Sequence, residues 1–180
     1  MVVVLRVDNN MSYNILGITP GHNGSVCLLE DGNVTYYIEE ERLSRQKYDA
    51  NPLKGMIDIL SKHHVDELVI SGTNLHENIP KLTWTNEDPF TSLVRKYNKD
   101  VKVTYLGDDH HLCHASCAFY NSGFESSLSI VVDGSGSYKQ INESGVKGFE
   151  CESVFVCSYP NNIEPIYKSY GDNYGIKAVS

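Results

Sequence analysis

Two histidines four residues apart, His110 and His114, stand in His110-His111-Leu112-Cys113-His114-Ala115-Ser116-Cys117-Ala118. On a helix they lie one above the other on the same face, where two imidazoles can share one metal ion. His111 points elsewhere. Cys113 and Cys117 offer a rival set with the two histidines, but four side chains on consecutive turns of one straight helix do not converge readily on a tetrahedral ion. Further on, the apolar run Ile130-Val131-Val132 ends in Asp133-Gly134-Ser135-Gly136-Ser137. That puts a carboxylate at the carboxyl end of a strand, where open α/β sheets hold ligands, and Asp133 would complete a His, His, Asp set. The amides of Gly134 and Gly136 suit phosphate oxygens. The plainer readings are an exposed histidine pair and an Asp-Gly hairpin turn.

Two earlier segments have chemical potential. In Pro20-Gly21-His22-Asn23-Gly24-Ser25 the glycines Gly21 and Gly24 allow backbone N–H groups to approach a ligand, with His22 and Ser25 reaching into the same space. An ordinary glycine-rich hairpin would look the same. Then comes Glu39-Glu40-Glu41-Arg42-Leu43-Ser44-Arg45-Gln46-Lys47, acids followed by bases. Arg42 and Arg45 could clamp a phosphate or carboxylate bidentately and Lys47 could act as a point charge. A solvated loop that neutralises itself is the alternative.

These residues need strands and helices to position them. Tyr13 to Ile18, Ser25 to Glu30 and Val34 to Glu39 read as a three-strand meander, with Asp31-Gly32 as a hairpin turn. From Pro52 to about His63, Leu53, Met56, Ile57 and Leu60 recur at i, i+3, i+4 and i+7, the pattern of an amphipathic helix. Glu67 to Ser71 and Val101 to Leu106 read as strands with a helix around Phe90 to Tyr97 between them. His110 to Tyr120 reads as a helix, Ser127 to Val132 as a buried strand, and Glu152 to Cys157 and Glu164 to Ser169 as two more strands. The class is α/β with a mixed sheet.

With 180 residues, the chain is expected to hold one domain or part of one. Hydrophobic residues at 41% and charged residues at 21% are enough for a packed core. The net charge of −8 argues against bulk binding to nucleic acid or to an anionic membrane surface. Five cysteines with no CxxC pair fit a reducing cytoplasm better than a disulfide framework. Met1 to Leu5 is apolar, but Arg6 and Asp8 follow, too soon for a signal-peptide core or a membrane span. Residues 1–11 are expected to be a disordered leader.

In order, these blocks resemble the amino-terminal part of the NodU/CmcH/TobZ-type O-carbamoyltransferases. The Gly-His turn, the hairpin Asp-Gly, the Glu-Glu-Arg-x-Ser-Arg-x-Lys run, the His-His-x-x-His-Ala helix with its following Ala-Phe-Tyr-x-Ser-Gly-Phe, and the Val-Asp-Gly turn all take part. The likeness covers residues 13–137 clearly and 138–180 loosely, where Ser169-Tyr170-Gly171 through Tyr174 would match a further motif. It implies an actin-like ATPase (ribonuclease H-like) fold with a mixed sheet, residues 12–180 being only its amino-terminal part. It also implies transfer of a carbamoyl group from carbamoyl phosphate, through carbamoyl-adenylate made with ATP, to a hydroxyl of a small-molecule acceptor. By that resemblance His110, His114 and Asp133 hold an iron-like divalent metal. Gly21, Gly24, Ser25, Arg45, Gly134 and Gly136 contact the nucleotide, and His22 and Lys47 face the carbamoyl-adenylate. The remainder of such an enzyme would be a partner of this chain. The competing expectations are a catalytically inactive nucleotide- and metal-binding module and a transferase of the tRNA threonylcarbamoyl type.

Overall fold

The computed structural model describes residues 12–72, 81–83, 85–141, 143, 145–171 and 178–179. The leader expected at residues 1–11 and the residues of the Ser169–Tyr174 motif after Gly171 lie outside them. The chain divides into two compact units, one ending at Leu106 and one beginning at Gly107.

In the first unit β1 (Asn14–Thr19), β2 (Ser25–Glu30) and β3 (Asn33–Glu39) form the expected meander, joined to β4 (Glu67–Ser71) and β5 (Lys102–Leu106) in the order β3-β2-β1-β4-β5. β1 pairs antiparallel with β2 and parallel with β4, so this sheet is mixed. Asp31 and Gly32 take φ of 51° and 82°, the left-handed pair that a tight two-residue hairpin requires. Alternate residues of β1 and β2, among them Leu16, Ile18, Val26 and Leu28, point into one core.

Two helices cover that core, and the sequence pattern misplaced one face. α2 (Leu53–Leu60) buries Gly55, Met56, Ile59 and Leu60, whereas Ile57, expected on the apolar stripe, is 48% exposed. Gly55 explains the rotation. A Cβ at that position would lie 2.7 Å from a Val26 methyl, so the helix presses its glycine onto β2. The expected middle helix is α3 (Pro89–Arg95), with Asp88 accepting from the amides of Phe90 and Thr91 at 2.9 Å and Pro89 in the first turn.

The run Glu39–Lys47, for which a solvated loop is the plainer expectation, contains a short helix, α1 (Glu40–Ser44). Glu40 is buried and its carboxylate accepts from the amides of Lys54 at 3.1 Å and Gly55 at 3.0 Å, capping α2 from a different element. That pairing between α1 and α2 is invisible to a local pattern.

The second unit has an antiparallel sheet, β10-β9-β8-β6, made of β6 (Ser126–Val132), β8 (Lys147–Ser158), β9 (Asn162–Gly171) and β10 (Ala178–Val179). A short β7 (Tyr138–Gln140) also pairs with β8. Helix α4 (His110–Ser122) packs on this sheet through Ala115 and Phe119 against Val131, Phe155 and Cys157. β6 departs from the expected buried strand. Ser129 and Val131 are buried, but Leu128, Ile130 and Val132 are 63%, 70% and 74% exposed on the opposite face. No helix among the described residues is long and apolar enough to cross a membrane.

Candidate functional sites

α4 starts at His110, so the four-residue spacing places the imidazoles of His110 and His114 on one helical face, with Nε2 atoms 3.0 Å apart. Asp133 follows the last residue of β6, and its Oδ2 lies 2.8 Å from His110 Nε2 and 3.7 Å from His114 Nε2. The three donor atoms fall within 4.8 Å of one another. Ligands about 2.0–2.2 Å from a common ion sit roughly 3–3.5 Å apart, so the set matches a divalent metal in both spacing and donor chemistry. Two histidines and one carboxylate leave further coordination positions open.

Surrounding hydrogen bonds orient this set. Asp133 Oδ1 accepts from the Gly134 amide at 2.6 Å, which leaves Oδ2 turned to the histidines. Burial works to raise the Asp133 carboxyl, but the bonds from His110 and the Gly134 amide outweigh it and hold the group below the usual range. Burial, then the neighbouring His110, push the His114 imidazole down, favouring the neutral ring that can donate a lone pair to a metal. The rival cysteine set does not form. Cys113 has its thiol pushed up to about 11, by burial first, the opposite of a ligating thiolate.

His111 points away from the other two histidines, as expected, and the structure shows where it goes: it is fully buried and places Nδ1 2.8 Å from Ser153 Oγ. Behind the Asp133 turn lies a network the sequence did not reveal. The amide of Ser137 donates to Glu150 Oε2 at 3.3 Å, the amide of Gly136 to the Glu150 carbonyl at 2.7 Å, and Ser137 Oγ accepts from the His110 amide at 3.3 Å. Glu150 is itself buried and paired with Lys168. Thus one carboxylate ties the turn after β6 to the first turn of α4.

The hairpin reading of Asp133-Gly134 does not hold, because β6 and β7 do not pair with each other: both pair with β8. Nor does the turn present its glycine amides outward, since Gly134 bonds to Asp133 and Gly136 to Glu150.

In the first unit the Pro20–Ser25 turn is closed onto the segment after α1. The amide of Gly21 donates to the Ala50 carbonyl at 2.9 Å and that of Gly24 to the Asp49 carbonyl at 2.8 Å. A Cβ at Gly24 would meet that backbone at 2.8 Å, so glycine serves a close chain crossing there. Ser25 begins β2. The closure brings His22 beside Tyr48, with ring centroids 5.1 Å apart, and Lys47 Nζ lies 4.8 Å from the Tyr48 centroid. His22 and Lys47, singled out separately in sequence, therefore meet at an aromatic ring that sequence reasoning missed.

The charge run resolves into two parts. Arg42 pairs with Glu39 at 3.4 Å and Glu41 at 3.5 Å, as a self-neutralising surface would. Arg45 and Lys47 make no ion pair with any carboxylate among the described residues. Arg45 ends α1 at φ 62°, with its amide donating to the Glu41 carbonyl at 3.0 Å.

Comparison with known proteins gives partial likenesses. No protein-family model matches. The chain is 31% identical over 170 residues to Uncharacterized protein MJ1051 of Methanocaldococcus jannaschii, covering 92% of this chain and 31% of that protein. It is 24% identical over 202 residues to Uncharacterized protein sll1178 of Synechocystis sp., covering 93% of this chain and 33% of that protein. It is also 28% identical over 145 residues to Nodulation protein NolNO of Sinorhizobium fredii, covering 65% of this chain and 20% of that protein. The chain is related to NolNO over part of its length. It spans about a third of the first two relatives and a fifth of the third.

Proposed function

We propose that this chain is the amino-terminal part of an O-carbamoyltransferase, acting with carbamoyl phosphate and ATP on a small-molecule hydroxyl acceptor. The observation that carries the reading is the convergence of His110, His114 and Asp133 donor atoms from a helix and a strand end. Support also comes from the ordered motifs and from the likeness to Nodulation protein NolNO.

His110, His114 and Asp133 would hold a divalent metal of the iron type. When bound, such a metal supplies Lewis-acid polarisation of a carbonyl or phosphoryl oxygen. The protein contributes its orientation: Gly134 fixes Asp133, and Ser137 fixes the first turn of α4. In the other unit Lys47, free of carboxylates among the described residues, offsets negative charge developing on the carbamoyl-adenylate. His22 accepts the proton of the acceptor hydroxyl as its oxygen bonds to the carbamoyl carbon and the bond to the adenylate phosphate breaks, releasing AMP. Because the amides of Gly21, Gly24, Gly134 and Gly136 are engaged within the chain, Lys47 and Arg45 supply the anion contacts in this reading.

Calorimetric titration of the Fe(II)-loaded protein with carbamoyl phosphate in the presence of AMP tests this. Binding that is lost in Lys47→Ala and in metal-free Asp133→Ala is expected. Binding unchanged in both variants would overturn the reading.

A further inference from the structure

The exposed ring of Tyr48 belongs to none of the motifs, yet two candidate catalytic side chains contact it. We infer that Tyr48 is a positioning residue, whose ring holds His22 and Lys47 in place for the carbamoyl-bearing ligand. The inference rests on the reading given under Proposed function.

The loop does not need the ring to hold its shape. The Tyr48 amide donates to Glu41 Oε2 at 3.1 Å, and Gly21 and Gly24 anchor Ala50 and Asp49 through backbone bonds. The Asp49 amide donates to Gln46 at 3.3 Å. Every one of these contacts is made by backbone amides, and Tyr48 is 54% exposed rather than part of a core. Tyr48 also takes φ 61°, a left-handed conformation that asparagine or glycine adopts more readily than tyrosine. The ring's contacts are with the chemical groups instead. It stacks with His22 at an interplanar angle of 26°, restricting an imidazole that sits on an exposed turn, and it offers its face to the Lys47 ammonium.

The backbone conformation supplies a clean variant. Tyr48→Asn removes the ring at a position where asparagine tolerates positive φ, and Tyr48→Phe keeps the ring without its hydroxyl. Carbon–proton correlation spectra of histidine-labelled protein, with His22 assigned through His22→Asn, report the stacking directly. Upfield His22 ring signals are expected in the wild type and Tyr48→Phe, moving toward the free-histidine position in Tyr48→Asn. Methyl signals of Leu16 and Leu28 should stay fixed as a check on the fold. Titration with carbamoyl phosphate should show about two- to five-fold weaker binding in Tyr48→Asn and none of that loss in Tyr48→Phe.

Identical His22 signals in wild type and Tyr48→Asn would overturn the positioning role, whatever the binding data. If His22 moves as expected but the wild type fails to bind carbamoyl phosphate, Tyr48 organises the pair and the carbamoyltransferase reading is what fails. Equal binding by wild type and Tyr48→Asn would likewise remove Tyr48 from the ligand's path while leaving that reading standing.

Discussion

His110 Nε2 stands 2.8 Å from Asp133 Oδ2, although 23 residues separate them in the chain. The contact joins the first residue of α4 to the residue that follows β6, and His114 comes to the same place from one turn further along the helix. A helix start and a strand end thus deliver three donors to one point.

Metal binding should accordingly depend on charge at Asp133 and on neutral histidines. Asp133→Asn keeps the shape and removes the charge. It is expected to weaken Fe(II) or Zn(II) affinity by more than about 100-fold, beyond the effect of losing an outer partner. Because the His114 imidazole is pushed down from its ordinary value of about 6.5, wild-type affinity should hold through neutral pH and fall only under more acidic conditions. Equilibrium dialysis with elemental analysis across pH measures both.

Cysteine reactivity offers a test of the helix orientation. Cys113 has a thiol pushed up to about 11, so at pH 8 roughly one part in a thousand is thiolate. Cys117, one turn on, is exposed. Iodoacetamide followed by peptide mass spectrometry should label Cys117 well before Cys113. Faster labelling of Cys113 would mean that this face of α4 is turned the other way.

Glu150 should shape the acid limb of stability. Burial works to raise its carboxyl, but the hydrogen bond and charge of Lys168, then the charge of Lys139, hold it below the ordinary range. A carboxyl lowered on folding contributes stability that is fully present above its unfolded value, about 4.3, and lost as pH falls through the folded value. Glu150→Gln should lower stability at pH 7 by about 1–3 kcal/mol and flatten the loss below pH 4. Denaturant melts followed by circular dichroism from about pH 3 to about pH 7 read the difference.

Gly136→Ala tests the wall behind the site. The new Cβ would lie 2.7 Å from His111 Nε2 and 2.8 Å from Glu150 Cβ, both in the packed interior. A loss of about 1–3 kcal/mol is expected from overpacking. Metal affinity should fall as well, because His111 shares the first turn of α4 with His110. A thermal melt and the dialysis measurement separate the two effects.

Much of this molecule could be read along the chain wherever neighbours in sequence are also neighbours in space. The Asp31-Gly32 hairpin follows from turn chemistry, α3 from Asp88 and Pro89, and the placing of His110 and His114 on one helical face from helical pitch. The face of α2 could not be read that way. Gly55 counts as neutral in an apolar pattern, yet its missing side chain is what lets the helix meet Val26. The Glu39–Lys47 run was ambiguous for a similar reason, since ion pairing depends on where each side chain goes, and only the structure separates the paired Arg42 from Arg45 and Lys47.

By itself, then, the sequence determined the order of the longer strands and helices and which residues carry donors, because backbone propensity and periodicity are local, while the short α1, β7 and β10 escaped it. Tertiary structure alone decided that Asp133 reaches the two histidines, that Glu150 braces their turn, and that His22 and Lys47 meet at Tyr48. Those contacts join segments distant along the chain, and their geometry is set by how β6, β8 and α4 pack in one unit and how the Gly21–Gly24 turn closes on Asp49 and Ala50 in the other.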